Sequence, residues 1–215
     1  NISILFSEMI AIWVISFWKN LDCPKKFNLI ELGAGNGEMM KVMINTFKKF
    51  PQLKKSCNIR ILEKSNLLKK IQKKVIKNHE IKWLNDLKEL NNLPCVFIAN
   101  EFFDSLPIKQ FIKKENKWHE RHVKFNDKLK PEFLDLPFDI KKFEKRIKLK
   151  ISENQKFIEY SPLTSKYLES ITSMIKLNDG GILIIDYGYI DKKMKNTLQA
   201  VYRHKYIDVL KSFGN

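Results

Sequence analysis

The sequence predicts an α/β fold built on a mostly parallel sheet, and three observations predict it. Short apolar runs alternate with segments of helical periodicity four or five times along the 215 residues. The apolar run at 27–32 opens onto Gly33, Gly35 and Gly37, three glycines at alternate positions directly before a helical pattern. Polar groups, mostly acids, then close one apolar run after another: Glu31, Glu63, Asn85-Asp86, Asn100-Glu101 and Asp186. An open α/β sheet binds its ligands outside the carboxyl ends of its strands, where these groups fall.

Each element has its own justification. Residues 2–20 place Leu5/Phe6, Met9/Ile10, Trp13 and Phe17 on a helical stripe that Pro24 closes. After the strand at 27–32, Met39/Met40, Met43/Ile44, Phe47 and Phe50 repeat at three to four, so a helix runs from Glu38 through Phe50. Its methionines read as core filling. A second strand is expected at 58–63, with Ser65 capping a helix that reaches 77. A short third strand covers 81–84. The run at 95–99 is of the fully buried type. Residues 108–126 alternate around a turn at Glu115-Asn116-Lys117, which predicts a β-hairpin. Residues 127–155, with Pro131 and Pro137 among charged clusters, yield no assignable element and read as an insertion. A helix at 163–177 stops at Asn178-Asp179-Gly180-Gly181, and a buried strand at 182–185 ends in Asp186-Tyr187-Gly188. Length and 44% hydrophobic content allow one core, so a single domain over 1–215 is expected, with an insertion at about 108–157.

Composition excludes more than it proposes. The formal charge is +16, but lysine supplies 36 of the 40 basic residues and is spread along the whole chain, as AT-rich codon usage would produce. Such charge favours solubility without naming a ligand. Cys23, Cys57 and Cys95 form no C-x-x-C pair, so neither a disulfide framework nor a zinc site is supported, and a reducing compartment fits. His119 and His122 lie three apart in a strand-like stretch, facing opposite ways, and no metal is expected. The apolar run at 9–18 is about half the length of a membrane span, and no signal peptide is visible. The chain begins without methionine and stops at Phe213-Gly214-Asn215, so it reads as a fragment.

The glycine spacing selects the cofactor. A dinucleotide fingerprint needs a third glycine where Glu38 stands, and that side chain would crowd the helix–strand contact. The pattern E-x-G-x-G-x-G instead resembles motif I of class I S-adenosylmethionine-dependent methyltransferases. On that resemblance Glu31 accepts a hydrogen bond from the cofactor's ammonium, and Gly33, Gly35 and Gly37 let the backbone pass close to it. Glu63, 26 residues beyond Gly37, is suited to both ribose hydroxyls. Asp86 stands where these enzymes often recognise the adenine amino group, and Asn100 completes the cofactor-binding candidates.

A more specific resemblance lies at Asn100-Glu101-Phe102-Phe103-Asp104-Ser105-Leu106-Pro107. This run is similar to the signature of the MidA-type methyltransferases, the family of the mitochondrial complex I assembly factor. Ile2-Ser3 with Phe6-Ser7-Glu8, then Trp118-x-Glu120-Arg121, Glu159-Tyr160-Ser161-Pro162, Asp186-Tyr187-Gly188 and the block from Thr197 to Lys205 match in order. Ser7 departs from the family's usual glycine and Gln199 from a basic residue; the family's N-terminal G-D-F-x-T segment and C-terminal continuation are absent. The resemblance implies a Rossmann-like class I fold, mostly parallel, with a β-hairpin insertion after the fourth strand. It also implies protein arginine methylation, on a complex I subunit in the mitochondrial case, and a place in the cytoplasm of a bacterium or the mitochondrial matrix of a eukaryote. A guanidinium stays charged at any ordinary pH, and paired carboxylates can hold it and aim one nitrogen at a methyl group. Glu101 and Asp104 are the candidates to grip it, with Glu159 and Asp186 behind and Phe102 and Phe103 as a channel wall.

Two other readings compete. Nucleic-acid amino-methyltransferases carry an N-P-P-[YF] loop after the fourth strand, and this chain has Glu101 and Phe102 in place of its prolines. Nucleic acid is therefore not an expected partner. The other reading is an assembly factor that binds the cofactor without turnover, since fold alone does not certify activity.

Overall fold

The computed structural model describes residues 3–77, 79–191, 193–203 and 205–211. Ile2 and His204 of the family-like blocks, and the closing Phe213-Gly214-Asn215, lie outside the described residues. Ser3 caps α1 (Ile4–Asn20) by accepting from the Phe6 amide. The helix ends ahead of Pro24, where Asp22 and Cys23 take left-handed backbone. β1 (Phe27–Leu32) is buried along its whole length. The helix expected to run through Phe50 ends at Phe47 as α2 (Glu38–Phe47), and a separate helix not expected from the sequence, α3 (Pro51–Ser56), follows it. Pro51 disfavours helical backbone at Phe50 but suits the first turn of a new helix, where no N–H bond is lost. There follow β2 (Cys57–Leu62), α4 (Asn66–Val75) with Ser65 as its cap, β3 (Ile81–Leu84) and β4 (Cys95–Asn100).

The expected hairpin is β5 (Lys109–Lys114) and β6 (Lys117–Phe125). Glu115 and Asn116 both have positive φ, as a two-residue type I′ turn requires. The stretch without assignable elements contains β7 (Pro131–Pro137) and α5 (Ile140–Ile147), and β8 (Phe157–Tyr160) follows. These four strands form an antiparallel sheet in the order β7-β6-β5-β8. The prolines bound an edge strand, where a missing N–H costs the ladder little. α6 (Pro162–Asn178), β9 (Gly180–Ile185) and a short pair, β10 (Ala200–Tyr202) with β11 (Lys205–Ile207), complete the order.

Contacts divide the chain into two compact units. One is Asn1–Leu106 with Thr164–Tyr187; the other is Pro107–Leu163 with Gly188–Asn215. The second unit has an apolar cluster of its own, built on Phe111, Trp118, Phe143 and Ile158, with Phe138 stacked on Phe111 at 4.2 Å between centroids. That separate core is the physical reason for the division. The first unit holds a five-stranded parallel sheet in the order β3-β2-β1-β4-β9. On one face Leu29, Ile61 and Ile98 pack with Val14 of α1 and Met40 and Met43 of α2. On the other, Ile30, Leu62 and Phe97 pack with Ile171 of α6. Strand order reverses at β1, which has β2 on one side and β4 on the other, so the ligand crevice of this topology opens at their carboxyl ends.

Candidate active site

Gly33, Gly35 and Gly37 all lie in the left-handed region, at φ of +67°, +53° and +89°. They do different work. A Cβ on Gly33 would stand 2.8 Å from the Phe102 ring, so this glycine lets the loop after β4 pack close. Among the described residues a Cβ on Gly35 would meet nothing within 4 Å. The middle of the loop opens onto free space, as a backbone that must admit a cofactor requires.

Glu31 supplies an independent test of the cofactor. It is in register with Ile61 and Ile98, both inside the apolar cluster, and it is only 2% exposed. Among the described residues its Oε2 has no hydrogen-bond partner, and burial pushes the carboxyl up to about 8. An acid in that position is costly alone and favourable beside a cation. The amino group of S-adenosylmethionine fits it. Because the folded protein holds this proton more tightly than the unfolded chain, the stability it contributes is complete in acid and is lost as pH rises toward 8. Glu31→Gln is therefore expected to raise the melting temperature of the ligand-free protein at about pH 9, by a few kcal/mol of stability, and to change it little near pH 5. Thermal melts at both pH values check this, and the same variant should bind S-adenosylhomocysteine more weakly.

Glu63, one residue past β2, is 8% exposed. Its Oε1 accepts from the Ser65 amide at 2.8 Å and its Oε2 from Gln72 Nε2 at 3.1 Å. A carboxylate so held keeps lone pairs for a diol. Asp86 is exposed beyond β3 and caps the short helix Leu87–Glu89, accepting from the Lys88 amide at 2.9 Å. Glu89 returns the bond by accepting from the Asn85 and Asp86 amides, and these bonds hold its carboxyl below the usual range. Gln72, buried on α4, had no signal in the sequence beyond its place in a helix otherwise rich in lysine.

At the ends of β4 and β9 the structure brings Asn100, Glu101, Asp104 and Asp186 together. Asn100 is paired with Ile185, and the Glu101 amide donates to the Ile185 carbonyl at 2.8 Å. Glu101 has φ of +47°, a conformation that costs a residue with a side chain about 1 kcal/mol. Asp186 serves as a fastening. Its Oδ2 accepts from the Phe103 and Asp104 amides at 3.1 and 3.2 Å, and its Oδ1 accepts from the Tyr187 amide at 2.9 Å. Burial, and then the Asp186 charge, raise the Asp104 carboxyl above its ordinary value. A cleft of about 540 Å³ opens here, lined by Ser3, Phe6, Asn100, Glu101, Asp186 and Tyr187 among others. Its aromatic wall is thus Phe6 and Tyr187. Phe102 and Phe103 turn instead toward the apolar cluster under α6, edge-on to one another, with Phe102 edge-on to Tyr167 at 5.3 Å. Ser7, where a glycine is usual, is accommodated at 1% exposure by bonding its hydroxyl to the Ser3 carbonyl.

Glu159 belongs to the second unit. Its Oε1 accepts from Gln110 Nε2 at 2.8 Å and from the Thr197 amide at 3.0 Å, and its Oε2 accepts from the Thr197 hydroxyl. Within that unit it pins the segment around Thr197 to β5 and β8. His119 and His122 fall on opposite faces of β6, and among the described residues no group of three His, Cys, Asp or Glu is placed to hold a metal.

Comparison with known proteins converges on the same chemistry. The family described as "Putative S-adenosyl-L-methionine-dependent methyltransferase" matches residues 9–215. "Protein arginine methyltransferase NDUFAF7, mitochondrial" of Xenopus laevis is 27% identical over 238 residues, covering 100% of this chain and 54% of that protein. Its namesake in Homo sapiens is 27% identical, covering 98% and 53%. The chain spans about half the length of the curated relatives it matches. A superfamily member from Burkholderia thailandensis, solved with S-adenosyl-homocysteine bound, superposes with a TM-score of 0.70 at 20% identity, over 87% of this chain and 48% of that one. A native superfamily structure from the same organism gives 0.75 at 19% identity, over 96% and 56%. These two show the fold. The match over nearly the whole chain, together with the orphaned acid and the open glycine loop, decides the matter: the chain belongs to the MidA-type family of S-adenosylmethionine-dependent methyltransferases.

Proposed function

We propose that the protein methylates an arginine side chain of a protein substrate, in support of respiratory complex I assembly. The observation that carries this reading is the acidic loop after β4: Glu101 lines a cleft one strand from the glycine loop, and Asp186 fastens the following Phe103 and Asp104 amides beside it. The names of the curated relatives support the choice of arginine. Glu31, the glycine loop and Glu63 would hold the cofactor, which when bound supplies a methyl group already activated on a sulfonium. Glu101 and Asp104 would accept from the guanidinium N–H groups, draw its charge to one side and present one nitrogen. Catalysis is then mostly positioning. The raised Asp104 carboxyl suits it to take the proton that the methylated nitrogen sheds. The relatives' names carry the word mitochondrial; the matrix in a eukaryote and the cytoplasm in a bacterium are the places that would suit this role. Among the described residues no helix is long and apolar enough to cross a membrane.

The test is transfer from methyl-labelled S-adenosylmethionine to arginine-containing peptides, complex I subunits among them, with mass spectrometry locating the label. Label on an arginine nitrogen is expected. Label on nucleic acid, or cofactor binding without transfer to any protein, would replace this reading with one of its two competitors.

A further inference from the structure

Gln72 is fully buried, and its side-chain amide is spent on three separate pieces of the first unit. Nε2 donates to the Gly35 carbonyl at 2.9 Å and to Glu63 Oε2 at 3.1 Å, while Oε1 accepts from Trp83 Nε1 at 2.8 Å. The orientation of the amide is fixed by chemistry. An indole N–H only donates, and a carbonyl and a carboxylate only accept, so a flipped amide would lose all three bonds. The third glycine belongs to the same arrangement. A Cβ on Gly37 would lie 3.1 Å from Ile76 Cδ1 and 3.3 Å from Gln72 Cγ, so a side chain there would crowd both residues.

We propose that Gln72 is a positioning residue for the cofactor, locking the middle glycine's carbonyl and the Glu63 carboxylate into one frame. The inference rests on the cofactor reading of the glycine loop and Glu63. A buried residue that served packing alone would be aliphatic, like Ile76 four residues on, which belongs to the apolar cluster. Gln72 instead ties the loop meant for the methionine end of the ligand to the acid meant for its ribose. With the Gly35 carbonyl turned to α4, the open side of the loop stays clear. With one Glu63 oxygen held by Ser65 and the other by Gln72, the carboxylate cannot swing away from a diol. Such buried networks are worth more together than bond by bond.

Calorimetric titration of S-adenosylhomocysteine into wild type, Gln72→Met, Glu63→Gln and the double variant tests this. Gln72→Met is expected to weaken binding about tenfold, the loss typical of a bond to a charged group. The double variant should lose clearly less than the product of the single effects, since the glutamine acts partly through the carboxylate. A folded Gln72→Met that binds like wild type, or two effects that multiply, overturns the proposal. Wild type that fails to bind at all overturns the cofactor reading beneath it, which is a separate result. A second measurement needs no variant at position 72. The indole N–H resonance of Trp83 should shift on saturation with S-adenosylhomocysteine, through its bond to Gln72, while that of Trp18, bonded to the Pro24 carbonyl, stays in place. An unmoved Trp83 resonance counts against the role.

Discussion

Gly35→Val is expected to abolish S-adenosylhomocysteine binding, weakening it at least about 100-fold, or roughly 2.7 kcal/mol. Two costs combine. Gly35 holds φ of +53°, and a left-handed backbone costs a residue with a side chain about 1–2 kcal/mol, with β-branched residues the worst placed. The isopropyl group would also project into the space that the loop leaves open, where a Cβ meets no protein atom. None of the described residues stands there to clash with it, so the variant should fold with only a modest fall in melting temperature. Gly33→Ala provides the contrast. Its Cβ would sit 2.8 Å from the Phe102 ring, so the injury falls on packing between the loops after β1 and β4 and should appear first in the melt. Calorimetry and thermal melts on both variants separate the effects. Undiminished binding by Gly35→Val would detach the glycine loop from the cofactor.

That contrast also shows how far the sequence could be read. The alternate glycines after a buried strand, and the polar groups closing later strands, were legible because backbone conformation and strand polarity restrict them to a few residue types. What each glycine does was not, since Phe102 is 69 residues from Gly33 in the chain and Gln72 is 35 from Gly37. Gln72 was invisible for a related reason: in a helix a glutamine between lysines reads as solvated, and only the tertiary fold turns it inward. Phe50 continues the apolar spacing of α2, but Pro51 opens a separate helix that the spacing does not indicate. β7 was missed because proline at both ends argues against a strand unless its edge position is known. Asp186 was legible as an acid at a strand end. Its task was not, because a ligand and a fastening for backbone amides need the same carboxylate.

Glu101→Gln should leave S-adenosylhomocysteine affinity within about twofold and cut kcat/KM for methyl transfer by about 100- to 1000-fold. A fall of that size corresponds to the 2–5 kcal/mol lost when one partner of a close charge pair is removed. The substitution keeps the length of the side chain and places no greater demand on the left-handed backbone at this position. It exchanges one acceptor oxygen for an NH₂ that points donors at a guanidinium made only of donors. The expected split between binding and turnover follows from where the groups lie: Glu31, Gly35 and Glu63 are at the ends of β1 and β2, whereas Glu101 follows β4 and lines the cleft. Asp186→Ala should behave differently. It touches the loop through the Phe103 and Asp104 amides, so releasing them should raise KM for the protein substrate more than it lowers kcat. Turnover by Glu101→Gln at the wild-type rate would remove Glu101 from the mechanism and leave Asp104 as the carboxylate to test next.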